Sequence, residues 1–186
     1  NGRVLKRIIR IEDNLVGGWI ESEKNLSQSG KCFVYGDAKV YDNAEVYGDV
    51  IVCDSAIIYD NAEVCGNAEI CGDVIVCGSA TIYDNATIYG NATIYCNATI
   101  YGNAEVYDNA EVYDNAKVYG NAKVLGDVMV CGEDEIENGY IQVSYKDVQI
   151  YKNKSSRTVT ALLTNDGWRF NVGCQKLITK EFFLYR

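Results

Sequence analysis

The stretch Ile100-Tyr101-Gly102-Asn103-Ala104-Glu105 is one of seventeen consecutive hexapeptides that run without insertion from Val34 to Glu135. Position 1 of the unit is Val or Ile in all seventeen copies, position 2 is Tyr or Cys in sixteen, and position 5 is Ala in thirteen. A helix does not keep a strict period of six, whereas a parallel β-helix does, because each unit supplies one short strand and one turn. The repeat therefore predicts an all-β chain folded as a parallel β-helix.

The residue types at each position predict how the coil closes. Positions 5 and 1 lie two apart in a strand, as Ala38 and Val40 do, so both side chains point to one side and fill a narrow interior. Positions 3 and 4 are mostly Gly, Asp or Asn, which tolerate positive φ or bond their own backbone at a sharp corner. Three such sides predict a triangular coil of 18 residues, with about six coils in a rod roughly 27 Å long at about 4.8 Å per coil.

The pattern over residues 34–135 resembles the left-handed parallel β-helix of the hexapeptide-repeat superfamily, which includes bacterial acyltransferases and γ-type carbonic anhydrases. Left-handedness is implied by this resemblance. Enzymes of that superfamily use His as a general base or as a zinc ligand, and this chain contains no His. We therefore predict no catalytic residue, metal site or cofactor, and an acyltransferase-like enzyme is the least favoured hypothesis.

The eight Cys follow the repeat. Five of them occupy position 2, where eleven other copies have Tyr, so their spacing in multiples of six does not indicate a metal site. Cys53 and Cys71 are predicted to be stacked neighbours. A disulfide between them was weighed, and free thiols were the preferred interpretation.

Positions 2 and 6 are predicted to face outward. Position 2 then forms Tyr ladders: Tyr89 over Tyr107, Tyr95 over Tyr113, and Tyr83, Tyr101 and Tyr119 in a third column. Position 6 brings apolar side chains to the surface at Ile51, Ile57 and Ile75, which we predict to be a self-association patch, for example in a homotrimer.

Charge divides the chain. Residues 34–135 hold eighteen acidic and three basic side chains, a net charge of −15, whereas residues 1–33 sum to +2 and residues 136–186 to +4. Over the predicted length this is one charge per ~1.8 Å, near the ~1.7 Å axial spacing of charge in duplex DNA. Such a surface attracts basic grooves and repels nucleic acid and anionic membranes. The predicted partner-binding residues are Glu105, Asp108, Glu111, Asp114, Tyr107 and Tyr113. The alternative is that the acids only solubilise the rod and shape its corners.

Three regions are predicted. Residues 1–33 form an N-terminal cap and first coil, with a strand within Arg3–Arg10. Residues 34–135 form the β-helix, and residues 136–186 form a small β-rich domain. In the last region Tyr140–Tyr145 and Val148–Tyr151 alternate as strands do, Asn165-Asp166-Gly167 marks a hairpin, and Thr179 begins a short helix.

The run Gly17-Gly18-Trp19-Ile20-Glu21-Ser22-Glu23-Lys24-Asn25-Leu26-Ser27, leading into Tyr-Gly-Asp-Ala repeats, resembles uncharacterised hexapeptide-repeat proteins of phages and prophages. With the charge, this resemblance favours a phage-encoded, non-catalytic protein in the bacterial cytoplasm. It would inhibit a host nucleic-acid-binding enzyme, for instance a defence nuclease, by charge mimicry. The alternative is a self-associating structural rod. The sequence contains no membrane-spanning apolar run.

Overall fold

The computed structural model describes residues 2–137, 140–143, 159–164, 167–172 and 175–177. Three sheets form the faces of a parallel β-solenoid, with seven parallel strands on each face. Face A consists of β1 (Lys6–Arg10), β2 (Leu15–Ile20), β5 (Lys39–Val40), β8 (Ile57–Ile58), β11 (Ile75–Val76), β14 (Thr93–Ile94), β17 (Glu111–Val112) and β20 (Met129–Val130).

The other two faces are built in the same way. Face B consists of β3 (Leu26–Gly30), β6 (Glu45–Gly48), β9 (Glu63–Val64), β12 (Thr81–Ile82), β15 (Thr99–Ile100), β18 (Lys117–Tyr119) and β21 (Glu135–Glu137). Face C consists of β4 (Phe33–Val34), β7 (Ile51–Val52), β10 (Glu69–Gly72), β13 (Thr87–Gly90), β16 (Glu105–Val106), β19 (Lys123–Gly126) and β22 (Tyr140–Val143).

Each strand pairs in parallel with the strand one coil later, and residues 18 apart in the chain stack on each other. Thr81 pairs with Thr99, and Ile82 pairs with Ile100. This register confirms the predicted coil of three hexapeptides. The structure has seven coils rather than about six, because strands before Val34 and after Glu135 join the same ladders.

The interior is formed by the two positions that the sequence assigned to it. Position 1 is buried in all seventeen copies, and position 5 is buried in sixteen, from Ala38 to Val128. The exception is Asp134, the one charged residue at position 5, whose side chain is half-buried in the last copy. Stacked Val, Ile and Ala side chains therefore make a continuous apolar column whose burial stabilises the rod.

The corners divide the work between positions 3 and 4. All seventeen residues at position 3 have positive φ, including Asp84 at 60° and Cys96 at 60°. Position 4 does not, which corrects the expectation that both positions share this conformation. Instead, Asn side chains at position 4 bond along the rod, as where Asn85 Nδ2 donates to Asn103 Oδ1 at 3.2 Å. An Asn ladder thus satisfies the exposed amides of successive corners.

Asp at position 3 has a second role. The carboxylate of Asp84 accepts a hydrogen bond from the backbone N–H of Gly102, one coil later, at 3.2 Å. Equivalent bonds link Asp54 to Gly72, Asp60 to Gly78, Asp108 to Gly126 and Asp114 to Gly132. These aspartates therefore hold adjacent coils together as well as carrying charge.

The N-terminal residues cap the first coil, as predicted. Strand β1 pairs antiparallel with β2, and β2 pairs in parallel with β5 through Trp19 and Ile20. A short 3-10 helix, Glu23–Asn25, follows. The buried Asn25 amide donates to the carbonyl oxygens of Asp42 and Ala44 at 3.0 and 2.9 Å, which fixes this turn to the next coil.

The C-terminal boundary lies beyond the predicted one. Residues Glu135–Glu137 and Tyr140–Val143 extend faces B and C, so the solenoid does not end at residue 135. The predicted hairpin is confirmed, since β23 (Val159–Thr164) pairs antiparallel with β24 (Gly167–Val172), and β25 (Gln175–Leu177) adds a third strand. The predicted strand at Val148–Tyr151 and the helix after Thr179 lie outside the described residues.

Gly72 tests how tightly the corners stack. Its φ is +100°, and a Cβ there would lie 2.5 Å from the carbonyl oxygen of Gly90. At Gly36, on the same corner, φ is +61° and the nearest atom would lie at 3.3 Å. We expect Gly72→Ala to lower the free energy of unfolding by roughly 2–3 kcal/mol and Gly36→Ala by about 1 kcal/mol. Urea unfolding of both variants measures the difference, and equal losses would contradict it.

Candidate binding surface

The turns between the faces carry most of the acidic side chains. We call the turns that follow faces A, B and C corner AB, corner BC and corner CA. Corner CA carries Asp37, Asp54, Asp73, Asp108 and Asp127; corner AB carries Asp42, Asp60, Asp114, Glu133 and Asp134; corner BC carries Asp49 and Asp84. Face A lies between the two corners with five acids each, so a row of carboxylates borders it on either side.

Face A itself is largely apolar and aromatic. Its outward positions hold Lys39, Ile57, Ile75, Thr93, Glu111 and Met129 in one column, and Tyr41, Tyr59, Cys77, Tyr95, Tyr113 and Cys131 in the other. All twelve side chains are half-buried. The surface therefore joins an apolar strip, which favours contact with a partner, to two charged borders, which select the sign of its charge.

The aromatic column of face A forms two stacks. Tyr41 and Tyr59 have ring centroids 5.2 Å apart, and Tyr95 and Tyr113 have centroids 4.8 Å apart, so the predicted ladder is confirmed. Stacks on the other faces, Tyr89–Tyr107 and Tyr83–Tyr101–Tyr119, have the same spacing. Such stacks make a rigid surface that loses little side-chain entropy on binding.

The phenols of face A lie in a negative field. Desolvation, followed by the charges of Glu111 and Asp114, raises the pKa of Tyr95 to about 12. The hydroxyl of Tyr59 donates to Cys77, and this bond is the largest cause that raises its pKa to about 12. Because nearby carboxylates stabilise the neutral phenol, the same carboxylates will attract a cation.

The predicted partner-binding residues fall on two faces. Asp108, Glu111, Asp114 and Tyr113 come together on face A and its corners, whereas Glu105 and Tyr107 lie on face C. Several of these acids already have partners. Glu105 pairs with Lys123 at 2.7 Å, and Asp108 and Asp114 accept backbone N–H groups from the next coil.

Other acids bordering face A were not singled out from the sequence. Asp37, Asp73 and Asp127 stand at position 4 of corner CA, and the side chain of Asp37 is 79% exposed. Their spacing is a multiple of 18 residues, so sorting acids by their place in the coil would have found them. The candidate surface is therefore face A with corners CA and AB.

The predicted self-association patch is divided. Ile57 and Ile75 stack on each other on face A, whereas Ile51 lies on face C, where it is 40% exposed. The three isoleucines are one hexapeptide or one coil apart, and a difference of one hexapeptide turns the side chain to the next face. Two of them therefore belong to the candidate surface.

Cys53 and Cys71 form a disulfide on face C, with a Cα–Cα distance of 4.7 Å, whereas free thiols were expected. The repeat explains the bond, since it places the two residues at the same position of adjacent coils. Cys32, Cys65, Cys77, Cys96 and Cys131 are free. The disulfide closes a loop of 18 residues and joins two coils covalently.

Reduction of this disulfide should lower the free energy of unfolding by about 3 kcal/mol, because the loop-closure entropy of the unfolded chain is restored. Thermal unfolding with and without reductant measures the effect. Cys53→Ser/Cys71→Ser should unfold like the reduced protein under both conditions, and Cys65→Ser/Cys77→Ser should respond to reductant as the unmodified protein does. A midpoint that does not depend on reductant would contradict the prediction.

Within the described ranges, no helix has the length and apolar character needed to cross a membrane.

Comparison with known proteins addresses the fold. The model of the YdcK β-solenoid repeat family matches residues 80–102, which lie on coils with the regular Tyr, Asn and Ala pattern. No curated protein matches the chain. The matched segment agrees with the parallel stacking of all three faces, and the chain is thus a β-solenoid repeat protein.

Proposed function

We propose that this solenoid is a non-catalytic binding protein whose face A, with its acidic corners, occupies the basic nucleic-acid groove of a partner enzyme. The observation that carries the proposal is the pair of acidic rows on either side of face A. Five acids on each corner border one aromatic strip, while corner BC has two. Charge is therefore concentrated around one face.

The dimensions of face A support this proposal. Position 4 of corner CA and position 3 of corner AB are five residues apart, so the two rows are separated by at most about 17 Å of extended chain. The rows run along the axis with one coil every ~4.8 Å. Two parallel lines of negative charge at this separation are comparable in scale with the phosphate rows beside the major groove of DNA, which is about 12 Å wide.

The resemblance of residues 17–27 to phage proteins gives the proposal a setting. A phage-encoded rod of this kind would inhibit a bacterial host enzyme, for instance a defence nuclease, by filling the groove that its nucleic acid would use. Mimicry predicts that the rod binds the enzyme and not the nucleic acid, because the acidic surface repels phosphates.

Capture from a bacterial lysate tests the proposal. The protein is immobilised, the lysate is freed of nucleic acid, and bound proteins are eluted with a duplex oligonucleotide. We expect the oligonucleotide to release a nucleic-acid-binding enzyme whose activity the free rod then inhibits. If duplex DNA releases nothing, or if the released enzyme is not inhibited, the proposal is wrong.

A second candidate function is a self-associating structural rod. Two observations favour it: Ile57 and Ile75 stack on face A, and the N-terminal cap exposes apolar side chains. The exposed cap residues are Val4, Ile9, Ile11, Leu15 and Val16. Light scattering across a concentration series tests this candidate. A dimer or trimer that Ile57→Ser/Ile75→Ser or Ile9→Ser/Ile11→Ser dissociates would support it, and a monomer at every concentration would exclude it.

A further inference from the structure

The N-terminal segment already places two guanidinium groups on face A. Arg3 lies over the ring of Tyr41, with its guanidinium carbon 4.0 Å from the ring centroid. The same group pairs with Asp42 on corner AB and lies 3.7 Å from Glu21. One arginine therefore uses an aromatic ring and carboxylates together.

Arg7 makes the corresponding contacts at the other edge of the face. Its guanidinium carbon lies 5.0 Å from the centroid of Trp19, and Nη2 lies 3.9 Å from Asp37 on corner CA. Nε donates to the carbonyl oxygen of Gly17 at 3.0 Å. The two arginines thus reach the first acid of each bordering row.

The same combination recurs at the opposite half of face A, where no arginine is bound within the described residues. Tyr41 is the first ring of one stack and Tyr95 the first ring of the next, since its predecessor in the column is Cys77. Glu111 follows Thr93 in the neighbouring column, and Asp114 lies on corner AB. Both carboxylates are close enough to Tyr95 to raise its pKa.

We propose that Tyr95, Glu111 and Asp114 form a guanidinium-binding subsite, at which an arginine of the partner stacks on the ring and pairs with the carboxylates. This inference rests on the proposed function and specifies the partner's chemistry, namely an exposed arginine in a basic groove. Arginine fits better than lysine, because its planar, weakly hydrated group stacks on a ring and donates in the same plane. Asp114 keeps one oxygen on Gly132 and has a second for the ligand.

Two peptides of equal length and charge, one of alternating Arg and Gly and one of alternating Lys and Gly, test the inference by calorimetric titration at low salt. We expect the Arg peptide to bind about threefold or more tightly than the Lys peptide, as a surface cation–π contact provides. Tyr95→Leu should bring this ratio close to one. Leu is already accepted at position 2, at Leu125.

Tyr101→Leu, in the middle of the face B stack, is the matched control and should keep the ratio of the unmodified protein. Glu111→Gln should weaken both peptides. Equal binding of the two peptides, or a ratio that Tyr95→Leu leaves unchanged, would overturn the subsite while leaving the acidic surface as a binding site. Failure of both peptides to bind would overturn the subsite and the proposed function together.

Discussion

Ala98→Asp should unfold the coil that contains it and lower the free energy of unfolding by about 4 kcal/mol or more. Ala98 is fully buried in the apolar column, between the Val and Ile side chains of its own and adjacent coils. A carboxylate there would lose its hydration without gaining a partner, and burial of an unpaired charge is among the most destabilising single changes. Circular dichroism during urea unfolding measures the loss.

The neighbouring corner supplies the control for this prediction. Asn97→Asp makes a similar chemical change at an exposed position 4, where four other copies already have Asp. Its oxygen can still serve the Asn ladder, although Asn97 would no longer donate to Asn115. We expect a loss of at most about 1 kcal/mol. If Ala98→Asp were as stable as Asn97→Asp, position 5 would not be an interior position.

Removal of four charges from the borders of face A should weaken partner binding by on the order of tenfold to a hundredfold at low salt, because steering by a charged surface is lost. The variant carries Asp37→Asn, Asp73→Asn, Asp127→Asn and Glu111→Gln. Asn is the commonest residue at position 4, so the first three substitutions restore the repeat and should preserve the fold. Binding of the captured enzyme over a salt series measures the effect.

The matched control neutralises acids on face B and corner BC. Glu45→Gln, Asp49→Asn, Glu63→Gln and Asp84→Asn also remove four charges, so the net charge of the two variants is equal. We expect the control to keep most of the affinity and its salt dependence. Equal losses in the two variants would mean that total charge, rather than face A, decides binding.

The period of six was enough to predict the core, the register and the outward columns. Position 1 and position 5 are apolar wherever they are enclosed, and the Tyr columns follow from the coil of 18 residues. The prediction succeeded because one geometric constraint, an interior too narrow for a polar side chain, acts on every copy.

The ends of the solenoid were harder to predict. Ile136 is buried and Tyr140–Val143 continues face C, but neither segment keeps the Gly and Asn corner signals of the repeat. Strand pairing continued past the last recognisable hexapeptide, since an unpaired edge favours any compatible strand. The cap was more readily predicted, because Ile20 and Leu26 keep the six-residue spacing.

The candidate surface was only partly predicted for a different reason. Reading the acids along the chain selected Glu105 to Asp114 as one cluster, although these residues turn around the rod from face C to corner AB. The grouping that matters in three dimensions is by remainders of 18, which aligns Asp37, Asp73 and Asp127. The cross-coil disulfide follows the same rule, since Cys53 and Cys71 are 18 residues apart.

The measurement that tests the central claim most directly asks whether the rod and duplex DNA bind the captured enzyme at the same time. The purified enzyme is mixed with saturating DNA, the rod is added in increasing amounts, and the complexes are separated by size. The account predicts that the rod displaces the DNA and that enzyme–rod and enzyme–DNA complexes exchange without a ternary species. A stable complex of enzyme, rod and DNA would show that face A does not occupy the nucleic-acid groove.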